Sequence, residues 1–191
     1  MNIFRDLSYY SFIVIITISG NAASGKDTVA ELLAKKLKLK LIRASLRVFA
    51  RKKGIDILDF EKTFTSNSNY WDKKLDEWQK EEVKKAGECI LVSYLGAYHI
   101  PRANLKVWLY ADEQIRSQRI AQRDGIAKEK ALAYLQERDE FFREKTRRIY
   151  GIDFWSPKLY DLRIDTSHLT PKEIAAKIIK YLTKVKKSDK L

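Results

Sequence analysis

Gly20-Asn21-Ala22-Ala23-Ser24-Gly25-Lys26-Asp27-Thr28 follows the apolar run Phe12-Ile13-Val14-Ile15-Ile16-Thr17-Ile18-Ser19 and precedes Val29, Leu32, Leu33 and Leu37 at helical spacing. The β-branched run reads as a buried strand, and the spacing beyond it as an amphipathic helix. The loop between them has the form G-x-x-x-x-G-K, a phosphate-binding arrangement. Glycines let the backbone curl until its N–H groups face an anion, and the following helix N-terminus adds partial positive charge. On this reading Gly20, Ala22, Ala23, Ser24, Gly25, Lys26, Asp27 and Thr28 form an ATP-binding loop, with Lys26 reaching the β and γ phosphates. The residue after such a lysine is ordinarily Ser or Thr, whose hydroxyl meets Mg²⁺. Here Asp27 intervenes and Thr28 supplies the nearest hydroxyl. The alternative is a glycine-containing turn between two core elements.

Further strands are predicted at Leu39 to Ile42, Cys89 to Ser93, Leu105 to Tyr110 and Asp161 to Asp165. Residues 43–86 read as mostly helical. A helix start is expected at Asp56, a polar loop over Thr65 to Asn69, and Trp71, Leu75 and Trp78 share one face of the next helix. Gly96 to Asn104 is expected to be a loop. Asp112 caps a helix running to Arg123 and ended by Gly125, and a second helix spans Lys128 to Ile149 and stops at Gly151. Thr170-Pro171-Lys172-Glu173 signals a last helix. Strands alternating with helices imply an α/β fold with a parallel sheet covered on both faces.

The chain has 191 residues, 45% hydrophobic and 33% charged, which fits one domain over 1–191. Its single cysteine, Cys89, sits in an apolar stretch, which excludes a disulfide framework and a cysteine metal site. The run Phe12 to Ile18 is too short to span a bilayer and leads into the loop instead of a cleavage site, so a cytoplasmic location without membrane attachment is expected. Residues 1–11 have no assignable role. A net charge of +13, from 38 Lys and Arg against 25 Asp and Glu, favours anionic partners, a nucleotide or a nucleic acid. A solvated lysine-rich surface, as in heat-adapted proteins, explains the excess equally well. His99 and His168 stand alone in sequence, with no carboxylate at ligand spacing, and read as structural or surface residues.

Phosphoryl transfer needs a phosphate cradle, a metal and cations around the moving group. Arg119 and Arg123 lie four apart on one helix face. Arg138, Arg143, Lys145, Arg147 and Arg148 follow beyond Asp124-Gly125, a pattern that suits a lid closing over phosphates.

Taken with the P-loop, several segments make the chain similar to the archaeal-type cytidylate kinases of the nucleoside monophosphate kinase group. They are residues 47–54 and 59–62, Asp72-Lys73-Lys74-Leu75-Asp76-Glu77-Trp78-Gln79, residues 115–125, Tyr150-Gly151-Ile152-Asp153, and residues 160–167. The resemblance covers nearly everything after Ser11. It implies a three-layer P-loop fold with a five-stranded sheet in order 2-3-1-4-5, a helical acceptor-binding insertion at about 43–87 and a lid at about 124–148. It also implies ATP-dependent phosphorylation of CMP or dCMP, with Mg²⁺ carried by the nucleotide and met by Thr28. By position, Lys26, Arg119 and Arg123 would be catalytic, while Arg47, Asp72, Asp76, Tyr94, Arg138 and Lys145 would bind the acceptor.

Departures from the pattern cluster on the acceptor side. A Gly-Arg pair after the third strand is Ser93-Tyr94 here, a glycine at the start of the insertion is Arg43, and an acidic or polar reader and an arginine in the lid are Phe142 and Lys145. Lysine lacks the bidentate fork of arginine, and phenylalanine accepts no hydrogen bond from a base. The ATP side is therefore expected to be kept and the CMP side altered, with Tyr94, Tyr98, Phe141 and Phe142 as an aromatic wall. Two other functions suit the residues: a paralogous kinase acting on another acceptor, such as a nucleic-acid-linked group, or a nucleotide-binding protein without turnover.

Overall fold

The computed structural model describes residues 14–54 and 69–188. Five strands, β1 (Ile15–Gly20), β2 (Lys40–Ala44), β3 (Cys89–Ser93), β4 (Leu105–Tyr110) and β5 (Leu162–Asp165), form one parallel sheet in the order β2-β3-β1-β4-β5. The seven described α-helices are α1 (Lys26–Leu37), α2 (Leu46–Lys53), α3 (Tyr70–Ala86), α4 (Gly96–His99), α5 (Glu113–Asp124), α6 (Lys128–Tyr150) and α7 (Pro171–Ser188). The expected order is therefore the observed one. The helix start at Asp56 and most of the polar loop before Asn69 lie outside the described residues.

Strand alternation sorts the core into layers. Ile16, Ile18, Ile90, Val92, Leu105, Val107 and Leu109 face α1 and α7, meeting Val29, Leu33, Ile174 and Ile178. On the other face Ile15, Cys89 and Leu91 meet Leu75, Trp78 and Val83 of α3, while Trp108 packs with Leu95 and Phe154. Phe49 of α2 closes this side against Trp71 and Trp78, at ring separations of 6.3 and 5.7 Å. The face predicted for Trp71, Leu75 and Trp78 is thus the packed one. Burial pushes the Cys89 thiol up to about 11, as befits a small core residue.

The predicted caps are present. Asp112 accepts from the Gln114 amide at 2.8 Å, and Gly125 and Gly151 end their helices with φ of 65° and 66°. Thr170 and Glu173 form a reciprocal capping box, the Glu173 amide donating to Thr170 Oγ1 and the Thr170 amide to Glu173 Oε2. One expectation needs correction: Gly96 to Asn104 is not loop throughout, because Gly96–His99 forms the helical turn α4. Four residues are too few to show a period, and the turn forms because it can lie close to the sheet. A Cβ on Gly96 would come within 3.4 Å of the Cβ atoms of Ser93 and Thr17.

β1 sits between β3 and β4, so its carboxyl end opens at the point where the chain winds away in two directions, the usual crevice of such sheets. Gly20 ends the strand there. A Cβ at this position would lie 2.2 Å from the Leu109 carbonyl oxygen and 2.7 Å from Ser24 Oγ. Gly20→Ala is expected to lose about 2–3 kcal/mol, because backbone must give way, and a urea unfolding curve checks it.

Candidate functional site

The loop from Gly20 to Gly25 turns into α1 with its amides exposed. Gly25, the residue before the helix, has φ of 84°, and no side chain caps the helix N-terminus. Ala23 also holds a positive φ of 58°, a conformation that non-glycine residues adopt only when neighbours enforce it. Two residues from distant elements do so. Arg119 on α5 donates through Nη1 to the Ala23 carbonyl at 3.1 Å and through Nη2 to the Thr166 carbonyl at 2.6 Å. The Thr166 hydroxyl, just past β5, donates to the Ser24 carbonyl at 2.9 Å and accepts from Arg119 Nη1 at 3.2 Å. Burial lowers the Arg119 pKa, but the guanidinium remains a cation at any working pH. Thr166→Val removes the hydroxyl from this lock, and ATP affinity is expected to fall about tenfold in a calorimetric titration.

Lys26 opens α1 with only 14% of its side chain exposed, 3.7 Å from Asp27 and 5.2 Å above the Tyr94 ring. Asp27 and Thr28 are both exposed beside it. A curled loop, an uncapped helix N-terminus and a half-enclosed lysine fit a polyphosphate, and Thr28 offers a hydroxyl next to it for a phosphate-bound cation. Among the described residues no group of three His, Cys, Asp or Glu side chains surrounds a metal position.

From this loop a cavity of about 750 Å³ runs across the carboxyl ends of β2 and β3 and under α6. It brings together Lys26, Thr28, Asp72, Asp76, Tyr94, Arg119, Arg123, Arg138 and Lys145, nearly every residue singled out in the sequence. Gly20 and Ser24 are buried and do not line it, and Arg47 belongs to α2, with its side chain outside the described residues. Arg123 stands at the margin, 65% exposed and paired with the neighbouring Asp124 at 2.7 Å. The cations of α6 divide between two faces. Arg138 and Lys145 line the cavity, whereas Arg143 lies 4.7 Å over the Trp155 ring and, with Arg147, approaches Asp153 at 4.0 Å.

Three contacts fix α6 in place. Arg116 of α5 donates to Asp139 at 2.7 Å. Lys145 Nζ meets Asp72 Oδ2 at 2.9 Å, with 5% and 15% of the two side chains exposed. The Tyr150 hydroxyl donates to Asp76 at 2.5 Å. Burial raises the Asp72 pKa, an effect the Lys145 ammonium opposes, and lowers that of Lys145, which Asp72 opposes in turn. Tyr150 is pushed up, first by burial and then by its bond to Asp76.

The aromatic residues separate in the same way. Tyr94 and Phe142 stack face to face at 4.6 Å with an interplanar angle of 1°, and the Arg138 guanidinium caps Phe142 at 5.0 Å. Tyr98 instead packs against His99 and Tyr150, and neither it nor Phe141 reaches the cavity wall. Arg43 pairs with Glu31 of α1 at the cavity edge.

Sequence reasoning missed Thr166, Gln79, and the partner of His99. His99 Nε2 lies 2.8 Å from Asp76 Oδ1 in the interior, a carboxylate 23 positions earlier that no local spacing could reveal.

A family model described as "Cytidylate kinase-like family" matches residues 15–168. The cytidylate kinase of Pyrobaculum arsenaticum is 38% identical over 160 residues, covering 82% of this chain and 86% of that protein. The cytidylate kinase of Sulfurisphaera tokodaii is 37% identical over 172 residues, covering 88% and 95%. Among solved structures, the shikimate kinase from Acinetobacter baumannii in complex with shikimate aligns with a TM-score of 0.63 at 17% identity, over 93% of this chain and 97% of that one. At that identity the likeness concerns the P-loop kinase fold. In the described residues no helix is long and apolar enough to cross a membrane. The relatives favour kinase activity over a nucleic-acid-linked acceptor or a turnover-free nucleotide binder. With a family model over most of its length and curated relatives at 37–38% identity, the chain belongs to the cytidylate kinase-like family and is a nucleoside monophosphate kinase-like phosphotransferase.

Proposed function

We propose that this protein transfers the γ-phosphate of ATP to CMP or dCMP. The observation that carries this reading is the continuity of one cavity from a phosphate loop to a wall of carboxylate and amide groups, roomy enough for donor and acceptor to meet. The relatives' naming as cytidylate kinases supports CMP as the acceptor.

In this reading Lys26 and the first amides of α1 hold the donor phosphates, and Arg119 keeps the loop in the shape they need. Mg²⁺ carried by the nucleotide would supply charge neutralisation of the phosphates, and Thr28 would offer it a hydroxyl. Arg123 would turn from Asp124 toward the transferring group. Residues of the 43–87 insertion, Arg47, Asp72 and Asp76 among them, hold the acceptor with Tyr94. Arg138 and Lys145 come down from the 124–148 lid, the insertion and lid being parts of one domain. Because α6 already roofs the cavity, it would exclude water from the attacking oxygen and so favour transfer over ATP hydrolysis. An enzyme using ATP and carrying one buried thiol suits the cytoplasm.

The test is ADP release from ATP and Mg²⁺ across a panel of ribo- and deoxynucleoside monophosphates, with a no-acceptor control. Stimulation led by CMP or dCMP is expected. Silence with every monophosphate, despite measurable ATP binding, overturns the reading.

A further inference from the structure

Gln79 of α3 lies in the cavity wall, 1% exposed, three residues after Asp76. Its amide has donors on one side and an acceptor on the other, and a carboxylate can only accept, so Nε2 must face Asp76, 3.1 Å from Oδ1. That orientation is locked from behind. Asp76 is held by the Tyr150 hydroxyl, which donates to Oδ2, while His99 Nε2 approaches Oδ1 to 2.8 Å. Gln79 Oε1 is consequently buried with no hydrogen-bond partner among the described residues. Leaving such an oxygen unpaired costs roughly 1–3 kcal/mol. A native structure keeps such a group where it has a use, and in a cavity wall that use is to meet a donor on the ligand.

The flanking wall identifies that donor. Leu75, one turn before Gln79 on α3, and Val48 of α2 also line the cavity, an apolar setting suited to the face of a nucleobase more than to a hydroxylated sugar. We propose that Gln79 Oε1 accepts a hydrogen bond from the exocyclic amino group of the acceptor's base, making Gln79 a specificity-determining residue. A base with an oxo group at that place would set lone pair against lone pair and leave Oε1 unsatisfied. The inference rests on the nucleoside monophosphate reading above, and it names the residue that separates an aminopyrimidine from its oxo counterpart.

Gln79→Met keeps the length of the side chain and removes the amide. The experiment compares kcat/KM for CMP, UMP and dCMP in the wild type and the variant, with ATP affinity and Tm as controls on the fold. All three values are expected to drop, but the CMP to UMP ratio should fall about tenfold while the CMP to dCMP ratio stays within about twofold. A purely structural role for Gln79 lowers all substrates together and leaves both ratios where they were, which overturns the proposal. A change confined to the CMP to dCMP ratio identifies the 2′-hydroxyl as the donor and also overturns it. Should the variant not fold, the wild type decides through calorimetric binding of CMP and its N4,N4-dimethyl derivative, which lacks the donor. About tenfold weaker binding of the derivative is expected, and equal binding refutes the assignment. A wild type inactive with every monophosphate removes the functional reading and this inference with it. One active on CMP with an unmoved ratio removes this inference alone.

Discussion

Lys26→Ala is expected to lower phosphoryl transfer by about three orders of magnitude while Tm moves by no more than about 2 °C. The asymmetry follows from where the lysine sits. Its side chain belongs to none of the hydrophobic clusters: the ammonium lies between Asp27, 3.7 Å away, and the Tyr94 ring, 5.2 Å away. An exposed partner such as Asp27 gives a pair worth about 1 kcal/mol or less, so the folded state hardly notices the loss. The reaction does, because the ammonium is the one side-chain cation rooted at the helix N-terminus where polyphosphate charge collects. Backbone amides would still bind ATP, so KM for ATP should rise less than kcat falls. Single-turnover rates with saturating ATP and CMP, alongside thermal unfolding, measure both sides. A variant with near-native turnover refutes the phosphate-loop assignment, and one with a collapsed Tm means that Lys26 carries the fold.

The fold and the donor half of the site were legible in the sequence because both depend on local signals. The β-branched run, the glycines at 20 and 25 and the apolar spacing after Lys26 lie within about two dozen residues, and the caps at Asp112, Gly125, Gly151 and Thr170 are read over three or four. The acceptor half depends on pairs that meet only after folding. His99 looked solitary because Asp76 lies a helix and a strand earlier, and nothing within residues 160–167 marks Thr166 for a role, yet its hydroxyl holds the Ser24 carbonyl from 142 positions away. The α6 cations illustrate the limit well. Helical spacing shows that Arg143 and Arg147 share a face, but only the packing of α6 on α5 and α3 decides that this face turns toward Trp155 and Asp153 while Arg138 and Lys145 take the cavity. The aromatic wall divided for the same reason, with Tyr94 and Phe142 stacking across two elements while Tyr98 was drawn to His99 and Tyr150.

Removing one member of the ion pair between α3 and α6 should have the largest effect on stability. Lys145→Met leaves Asp72 in a wall where burial already disfavours its charge, so the variant is expected to lose about 3 kcal/mol at pH 7, near the low end for an uncompensated buried charge. The pH dependence has a definite sign. A carboxyl whose folded pKa is raised above its unfolded value near 3.8 binds its proton more tightly in the folded chain. Its contribution to stability is therefore fully present below that unfolded value and disappears as pH climbs through the raised one. Without Lys145 the folded value rises further, so the deficit against wild type is greatest at neutral pH and shrinks on acidification to a pH below the unfolded value near 3.8, where Asp72 takes up its proton in both proteins. Adding Asp72→Asn removes the stranded charge, and the double variant should recover most of the loss, with a coupling of about 2 kcal/mol in the cycle. Urea unfolding at both pH values measures this. A deficit independent of pH, or a double variant no more stable than Lys145→Met, means that Lys145 stabilises the junction by packing its methylenes and not by compensating Asp72.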